Sequence, residues 1–191
     1  MSSHHIIRED QEPALLIDDL DAVSESLFGQ LLEWSPTVLA GDDALSSLQA
    51  RGVKVDVWFT NHDNAPLPQD HTIIKPAGLA WMETALDYLK QHGQRAVNIL
   101  SKKPEVHALM YRYAEVLNVV LLGNGQRIVV AKPGFSKWKP KGETIWLYGN
   151  VDRVALQGLT PVVETGVYTT LEDGFFSVVF DDAYGLVGER L

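Results

Sequence analysis

The sequence predicts an α/β fold in two parts: an N-terminal open, mainly parallel sheet covered by helices, then a small C-terminal antiparallel β-sandwich. Three observations carry this expectation. From residue 13 to residue 122, short apolar runs alternate with helical-period segments, the rhythm of a parallel sheet buried on both faces. The helical period stops at Gly123-Asn124-Gly125. Beyond it, strand-like runs recur between Gly, Pro, Asn and Asp turn signals, as in antiparallel sandwiches. The boundary reads as a tight turn, giving domains 1–123 and 124–191.

In the first part, residues 14–17, 37–40, 53–59, 72–75, 96–101 and 118–122 read as strands. Between them, helices are expected at 24–33, 42–51, 80–92 and 104–116. Ser24 can cap a helix whose apolar face is Leu27, Leu31 and Leu32, because a hydroxyl satisfies an unpaired N–H of the first turn. Asp42 or Asp43 opens the second helix as a capping acid, and Gly52 follows its last turn. Met82, Ala85, Leu86 and Leu89 share a face of the third, closed by Gly93, and Pro104 suits the first turn of the fourth. In the second part, strands are expected at 126–131, 144–148, 151–157, 161–170 and 175–180.

Composition excludes several classes. Hydrophobic residues make up 46% and charged residues 21% of 191 positions, an ordinary globular balance. Cysteine is absent, which rules out disulfides and thiolate metal sites and fits a reducing compartment. No apolar run nears the roughly 20 residues of a membrane span, and acids stand where a secretory signal would be basic and then apolar. The expectation is a soluble, cytoplasmic protein with no membrane partner. Net charge is −9, with 17 acidic and 9 basic residues up to Gly125. That acidic front half would repel a phosphate backbone, so nucleic acid is not an expected partner. Lys137, Lys139 and Lys141 alternate in FSKWKPKG; they read as a solvated edge that discourages aggregation, with an anion contact as the alternative.

Ligands of open α/β sheets gather at the carboxyl ends of strands. Asp42, Asp43, Asp56 and Asp63 fall in or after such strands. Carboxylates there can hold Mg²⁺ against a nucleotide's phosphates, because Mg²⁺ takes hard oxygen ligands. No GxxxxGK[ST] and no GxGxxG opening a helix is present. The six histidines contain no i, i+4 pair of a zinc site, and no serine lies in a GxSxG elbow. His62 beside Asp63 reads as either a solvated loop or an acid–base couple, and Trp58 and Trp81 read as core residues, with ligand stacking as the alternative.

The order of several segments resembles the thiamine pyrophosphokinases, especially their bacterial form. The resemblance rests on SSHHIIREDQEPALLI, GQLLEWSP, GDDALSSLQARGVKVDVWFTNHDN, ALDYLKQHGQRAVNI and FSKWKPKGETIWL, and covers most of the chain. It implies transfer of the terminal diphosphate of ATP to thiamine, Mg²⁺ dependence, an α/β domain followed by a β-sandwich, and a homodimer with sites at the subunit interface. The family's first acid, in an Asp-Gly step after a strand, falls on Asp42, with Asp43 where Gly is usual. A second acid falls on Asp56. The Gly-Asp-Phe-Asp-Ser metal motif falls on Thr60-Asn61-His62-Asp63-Asn64, where only Asp63 survives.

Other motif positions depart further. A Thr-Asp step falls on Ala80-Trp81, a glycine-rich stretch falls on residues 102–107 where only His107 matches, and a thiamine-contacting Ser-Asn pair has no counterpart at 166–170. Trp81 brings bulk in place of an acid, and Glu105 would repel a phosphate. Diphosphate transfer works by positioning and charge neutralisation, so the losses imply a degenerate homologue with weak or no catalysis that retains thiamine or nucleotide binding. The vestigial catalytic candidates are Asp42, Asp56 and Asp63, with Asp56 and Asp63 for metal. Asp43, Asn61, Lys102, Lys103 and His107 are the candidates for nucleotide contact. The alternatives are an active Mg²⁺-dependent diphosphokinase with a rearranged site, in which Lys102 or Lys103 supplies positive charge, and a non-catalytic interaction dimer.

Overall fold

A computed structural model of the chain describes residues 12–63 and 66–191. His4, His5, the opening of SSHHIIREDQEPALLI and Asn64 lie outside the described residues.

Six strands run parallel: β1 (Ala14–Ile17), β2 (Val38–Gly41), β3 (Val57–Thr60), β4 (Ile73–Pro76), β5 (Ala96–Leu100) and β6 (Asn118–Gly123). Their spatial order is β4-β3-β2-β1-β5-β6. The chain therefore winds outward from β1 in one direction, then returns to the other side of β1 through β5. Four helices connect them: α1 (Glu25–Leu32), α2 (Asp42–Ala50), α3 (Trp81–Gln91) and α4 (Val106–Tyr113).

Side-chain alternation assigns the helices to opposite faces. Leu16, Leu39, Phe59 and Ile99 pack with Leu86 and Leu89 of α3 and Met110 of α4. Leu15, Ile17, Ala40 and Trp58 pack with Phe28 of α1 and Leu48 of α2. Both strand faces are thus apolar, which is why the parallel half reads as continuous apolar runs. Each fully buried leucine contributes about 2 kcal/mol.

Local chemistry moves some boundaries. Ser24 Oγ accepts the Leu27 N–H at 3.3 Å and caps α1 as expected. The N-cap of α2 is Gly41, so neither Asp42 nor Asp43 is the cap; both sit in the first turn, where the helix dipole favours acids. The turn of Lys103, Pro104 and Glu105 precedes α4, with the His107 N–H donating to the Pro104 carbonyl. The strand expected from residue 53 begins only at Val57. Val53 N–H returns to the Leu48 carbonyl, and Val55 N–H donates to Gln69 Oε1 at 2.9 Å.

The turn at residues 123–125 joins β6 to β7 (Gln126–Ala131) as an antiparallel hairpin. Asn124 and Gly125 have φ of 51° and 72°, the left-handed pair that a two-residue hairpin turn demands. The sheet does not end there. Further strands are β8 (Phe135–Lys139), β9 (Thr144–Tyr148), β10 (Val154–Gln157), β11 (Leu159–Pro161), β12 (Val167–Thr170), β13 (Gly174–Phe180) and β14 (Gly185–Arg190). Five strands of this half extend the parallel sheet in the order β6-β7-β14-β9-β12-β11, giving eleven strands in all. Only β10-β13-β8 form a separate, smaller antiparallel sheet. Its Phe176, Val178 and Phe180 share one buried cluster with Ile145, Leu147 and Val187 of the large sheet. The antiparallel half is therefore continuous with the parallel half through one sheet.

The strand expected over 161–170 is two strands, β11 and β12, separated by a turn in which Val162 N–H donates to the Val167 carbonyl. β8 is an edge strand, as the alternating lysines imply, but only Lys141 behaves as a solvated charge. Lys137 and Lys139 turn inward to Glu189. Among the described residues, no helix is long and apolar enough to cross a membrane.

Candidate functional site

β1 has β2 on one side and β5 on the other, and the chain leaves β1 and β5 toward helices on opposite faces, the switch point at whose carboxyl strand ends a crevice is expected. A cavity of about 410 Å³ lies there, lined by Asp18, Asp19, Asp21, Asp43, Arg51, Lys102 and Lys103 among others. A larger depression of about 800 Å³ lies at the opposite edge, beside Trp34, Lys54 and Asp56. The strand-end crevice is the stronger candidate, because it combines the switch point with charged groups converging from the two strand-end loops and from α2.

The sequence makes this crevice directly. Two acids follow the apolar strand β1, and Ser101, Lys102 and Lys103 follow β5. The N–H groups of Asp18 and Asp19 both donate to the Leu100 carbonyl at 3.0 Å, which locks the two loops together. Asp18 is nearly enclosed, its side chain 2% exposed. Its Oδ1 receives Lys103 Nζ at 2.7 Å and its Oδ2 accepts the Ser101 hydroxyl at 2.7 Å. Asp19 Oδ2 faces Lys102 Nζ at 3.0 Å, and Oδ1 accepts the Asp21 N–H at 2.8 Å.

The protonation states follow. The hydrogen bond to Asp18 holds the Lys103 ammonium above its ordinary range against partial burial. Burial raises the Asp19 carboxyl, but the Lys102 and Asp21 hydrogen bonds outweigh it, and the net shift is downward. Each of the two lysines is held by an acid. Gly123 closes the far side: a Cβ there would meet the Ser101 carbonyl oxygen at 2.0 Å, so only glycine permits this approach.

The expected site residues separate into groups. Lys102, Lys103 and Asp43 line the crevice. Asp42 stands at the same edge, but its Oδ1 accepts the Trp58 indole N–H at 2.9 Å, and its Oδ2 lies 3.8 Å from His62 Nε2. His62 thus faces Asp42 rather than its neighbour Asp63, which is exposed and does not line the crevice. Asn61 spends its amide on Gly78, donating to the carbonyl at 2.9 Å and accepting the N–H at 3.1 Å.

Three residues lie elsewhere. Asp56 is at the amino-terminal end of β3, on the opposite edge from Asp42 and Asp63, where it pairs with Lys54 and accepts the Val38 N–H at 2.9 Å. His107 packs on the Tyr148 ring, centroids 4.6 Å apart, and burial pushes its imidazole pKa down. Trp81 lies against Gly41 at the end of β2, where a Cβ would sit 2.9 Å from the indole Cε2. Its ring is tilted on Phe59 at 6.4 Å between centroids. The indole occupies the space over β2 on the α3 face and does not line the crevice.

Sequence reasoning missed Asp18, Asp19 and Ser101. The signal was available, since two acids directly after an apolar strand is the pattern that singled out Asp42 and Asp43. Among the described residues no three His, Asp or Glu side chains converge as around a protein-held metal ion. Mg²⁺ needs only one or two carboxylates beside substrate oxygens, and Asp21 and Asp43 are the crevice acids whose carboxylates form no hydrogen bond or ion pair among the described residues.

No protein-family model matches the sequence, and no curated protein matches it. Solved structures do. A thiamine pyrophosphokinase from Bacillus subtilis aligns with a TM-score of 0.65 at 13% identity, over 93% of this chain and 97% of that one. That from Geobacillus thermodenitrificans gives 0.66 at 14% identity, over 93% and 96%. The enzyme from Candida albicans gives 0.63 at 11% identity, over 96% and 90%. At such identities the likeness is one of fold: this chain has the thiamine pyrophosphokinase fold over nearly its whole length.

Proposed function

We propose that this thiamine pyrophosphokinase-like chain is a degenerate member of that group, which keeps a strand-end ligand site for thiamine or a nucleotide but has weak or no diphosphate transfer. The observation that carries the reading is the mutual neutralisation of the crevice. Lys103 is held by Asp18 and Lys102 by Asp19, so neither cation is free to meet a phosphate without first losing an acid. Asp42 is engaged by the Trp58 indole, and the position where the resemblance implies an acid, Trp81, lies outside the crevice and brings it no charge. Phosphoryl-group transfer depends on preorganised positive charge and metal, and rearranging such pairs at each turnover works against it.

Under this reading Mg²⁺ would reach the crevice with a nucleotide, through Asp43 and phosphate oxygens, rather than on a resident acid cage. The resemblance also carries a homodimer, and the composition a cytoplasmic location. Incubation of the protein with Mg-ATP and thiamine, followed by chromatography for AMP and thiamine diphosphate, tests the central claim. Turnover well below ~1 s⁻¹ is expected, and a value in the ordinary enzyme range would overturn it. A thermal shift with thiamine or Mg-ATP is expected to persist, since ligand at 100 times its dissociation constant stabilises by about 2.7 kcal/mol.

A further inference from the structure

We infer that the seam between the two sheets is a second binding site, for a small organic anion: a carboxylate or phosphate group carried on an apolar body. It lies apart from the strand-end crevice and does not rest on the reading given to that crevice.

The site begins with Glu189 of β14. Its Oε1 receives Lys137 Nζ at 2.6 Å and Arg127 Nη1 at 3.0 Å, and its Oε2 receives Lys137 at 2.7 Å and Lys139 at 2.7 Å. Register explains the convergence. Arg127 on β7 is directly opposite Glu189, while Lys137 and Lys139 occupy alternate positions on the inner side of β8. Three cations therefore meet one carboxylate, and among the described residues no other acid forms an ion pair with them. The seam is graded: the side chains of Glu189 and Lys139 are 13% and 19% exposed, while Lys137 and Arg127, at 38% and 42%, reach toward solvent at its mouth. Surplus positive charge so placed is costly, and an added anion would offset it.

Beside the cluster is a cavity of about 320 Å³, within the size of small-ligand sites. Arg127 and Lys137 stand on its polar side, and Val120, Val129, Ile145 and Val187 on its apolar side. Phe135 and Phe176 also line it, their centroids 6.1 Å apart and their planes tilted, a wall suited to an aromatic body. A guanidinium offers paired N–H donors that match carboxylate and phosphate oxygens alike. The arrangement is that of a ligand site with an apolar body and a few convergent polar groups.

Calorimetric titration of the full chain with benzoate, phenyl phosphate, benzyl alcohol and inorganic phosphate tests the assignment, with methyl NMR of Val120 and Val129 to locate binding. Expected is saturable, mutually competitive binding of benzoate and phenyl phosphate at least about tenfold tighter than benzyl alcohol or inorganic phosphate, with shifts at both valines. Lys137→Met should weaken the anions about tenfold, the worth of one charge-assisted hydrogen bond, while the exposed Lys141→Met leaves them unchanged. If Lys137→Met does not fold, the wild-type salt dependence serves instead, and added KCl should weaken benzoate. The proposal is overturned by failure of both anions to bind, by benzyl alcohol binding as tightly as benzoate, or by anion binding indifferent to both Lys137→Met and salt.

Discussion

Two charge clusters of this molecule are built on opposite principles. At the strand ends, Asp18 meets Lys103 and Asp19 meets Lys102, so charges cancel one for one, with both lysines about half exposed. Between the sheets, Glu189 gathers Arg127, Lys137 and Lys139 and is itself well enclosed. The first arrangement leaves little field for a ligand's charge. The second leaves excess positive charge around one enclosed carboxylate, with Lys139 sheltered and Lys137 and Arg127 open to solvent on their outer side. Proximity to the topological switch point and readiness to hold an anion are thus separate properties in this chain.

The comparison breaks most sharply at Glu189. Glu189→Ala leaves three cations facing one another and should cost about 3 kcal/mol in urea unfolding, the low end of the range for stripping a buried ion of its partner, because Lys137 and Arg127 can turn to water while Lys139 is less able to. A smaller cost, near that of an exposed pair, would make the cluster a surface feature. Acid gives the next effect. Burial raises the Glu189 carboxyl, but hydrogen bonds from Lys137, Lys139 and Arg127 prevail and bring its pKa down from 4.5 to about 2. A depressed folded value means its stabilisation is complete above about 4.5 and disappears as pH falls through about 2. That loss amounts to about 3 kcal/mol, and the Glu189→Gln variant should lack this part of the acid limb.

Asp18→Asn sharpens the other side. It should cost about 2 kcal/mol, less than Glu189→Ala, because Lys103 can turn to water. The pH behaviour has the opposite sign there. Asp18 raises the Lys103 ammonium above 10.5, so its contribution is present below that value and is lost as pH rises past it. Unfolding followed into alkali should show the loss in wild type and not in Asp18→Asn. Lys102→Ala is the smallest change, within about 0.5 kcal/mol, since both partners are partly exposed. A large effect would mean that the Asp19 loop is held by more than packing.

Much of the architecture is written locally. β1 and β7 coincide with their apolar runs, and α1 begins at its serine cap. β14 escaped sequence reasoning because its two glycines interrupt the apolar run, and one of them answers to a distant strand. A Cβ on Gly185 would strike the nearby Phe180 ring at 2.2 Å, and one on Gly188 would crowd the Trp146 Cβ at 3.1 Å and the Tyr148 ring at 3.2 Å. No window around residues 185–190 contains the second of these contacts. The site was legible to the same depth. Lys102 and Lys103 are at the crevice as expected, whereas the Asp56 side chain faces the far edge because it precedes β3 instead of following it. Lys137 and Lys139 read as edge charges until Glu189, fifty residues on, supplies what they bond to.

The hairpin at Asn124-Gly125 has a consequence for anyone dividing the chain. Severing it would strip β6 and β7 of each other and lay bare two long rows of unmatched amides and carbonyls in the middle of the sheet. Fragments cut there should clump or recombine with one another rather than persist as two independent pieces, and reassociation on mixing would be the sign that the continuity of the sheet holds the molecule together.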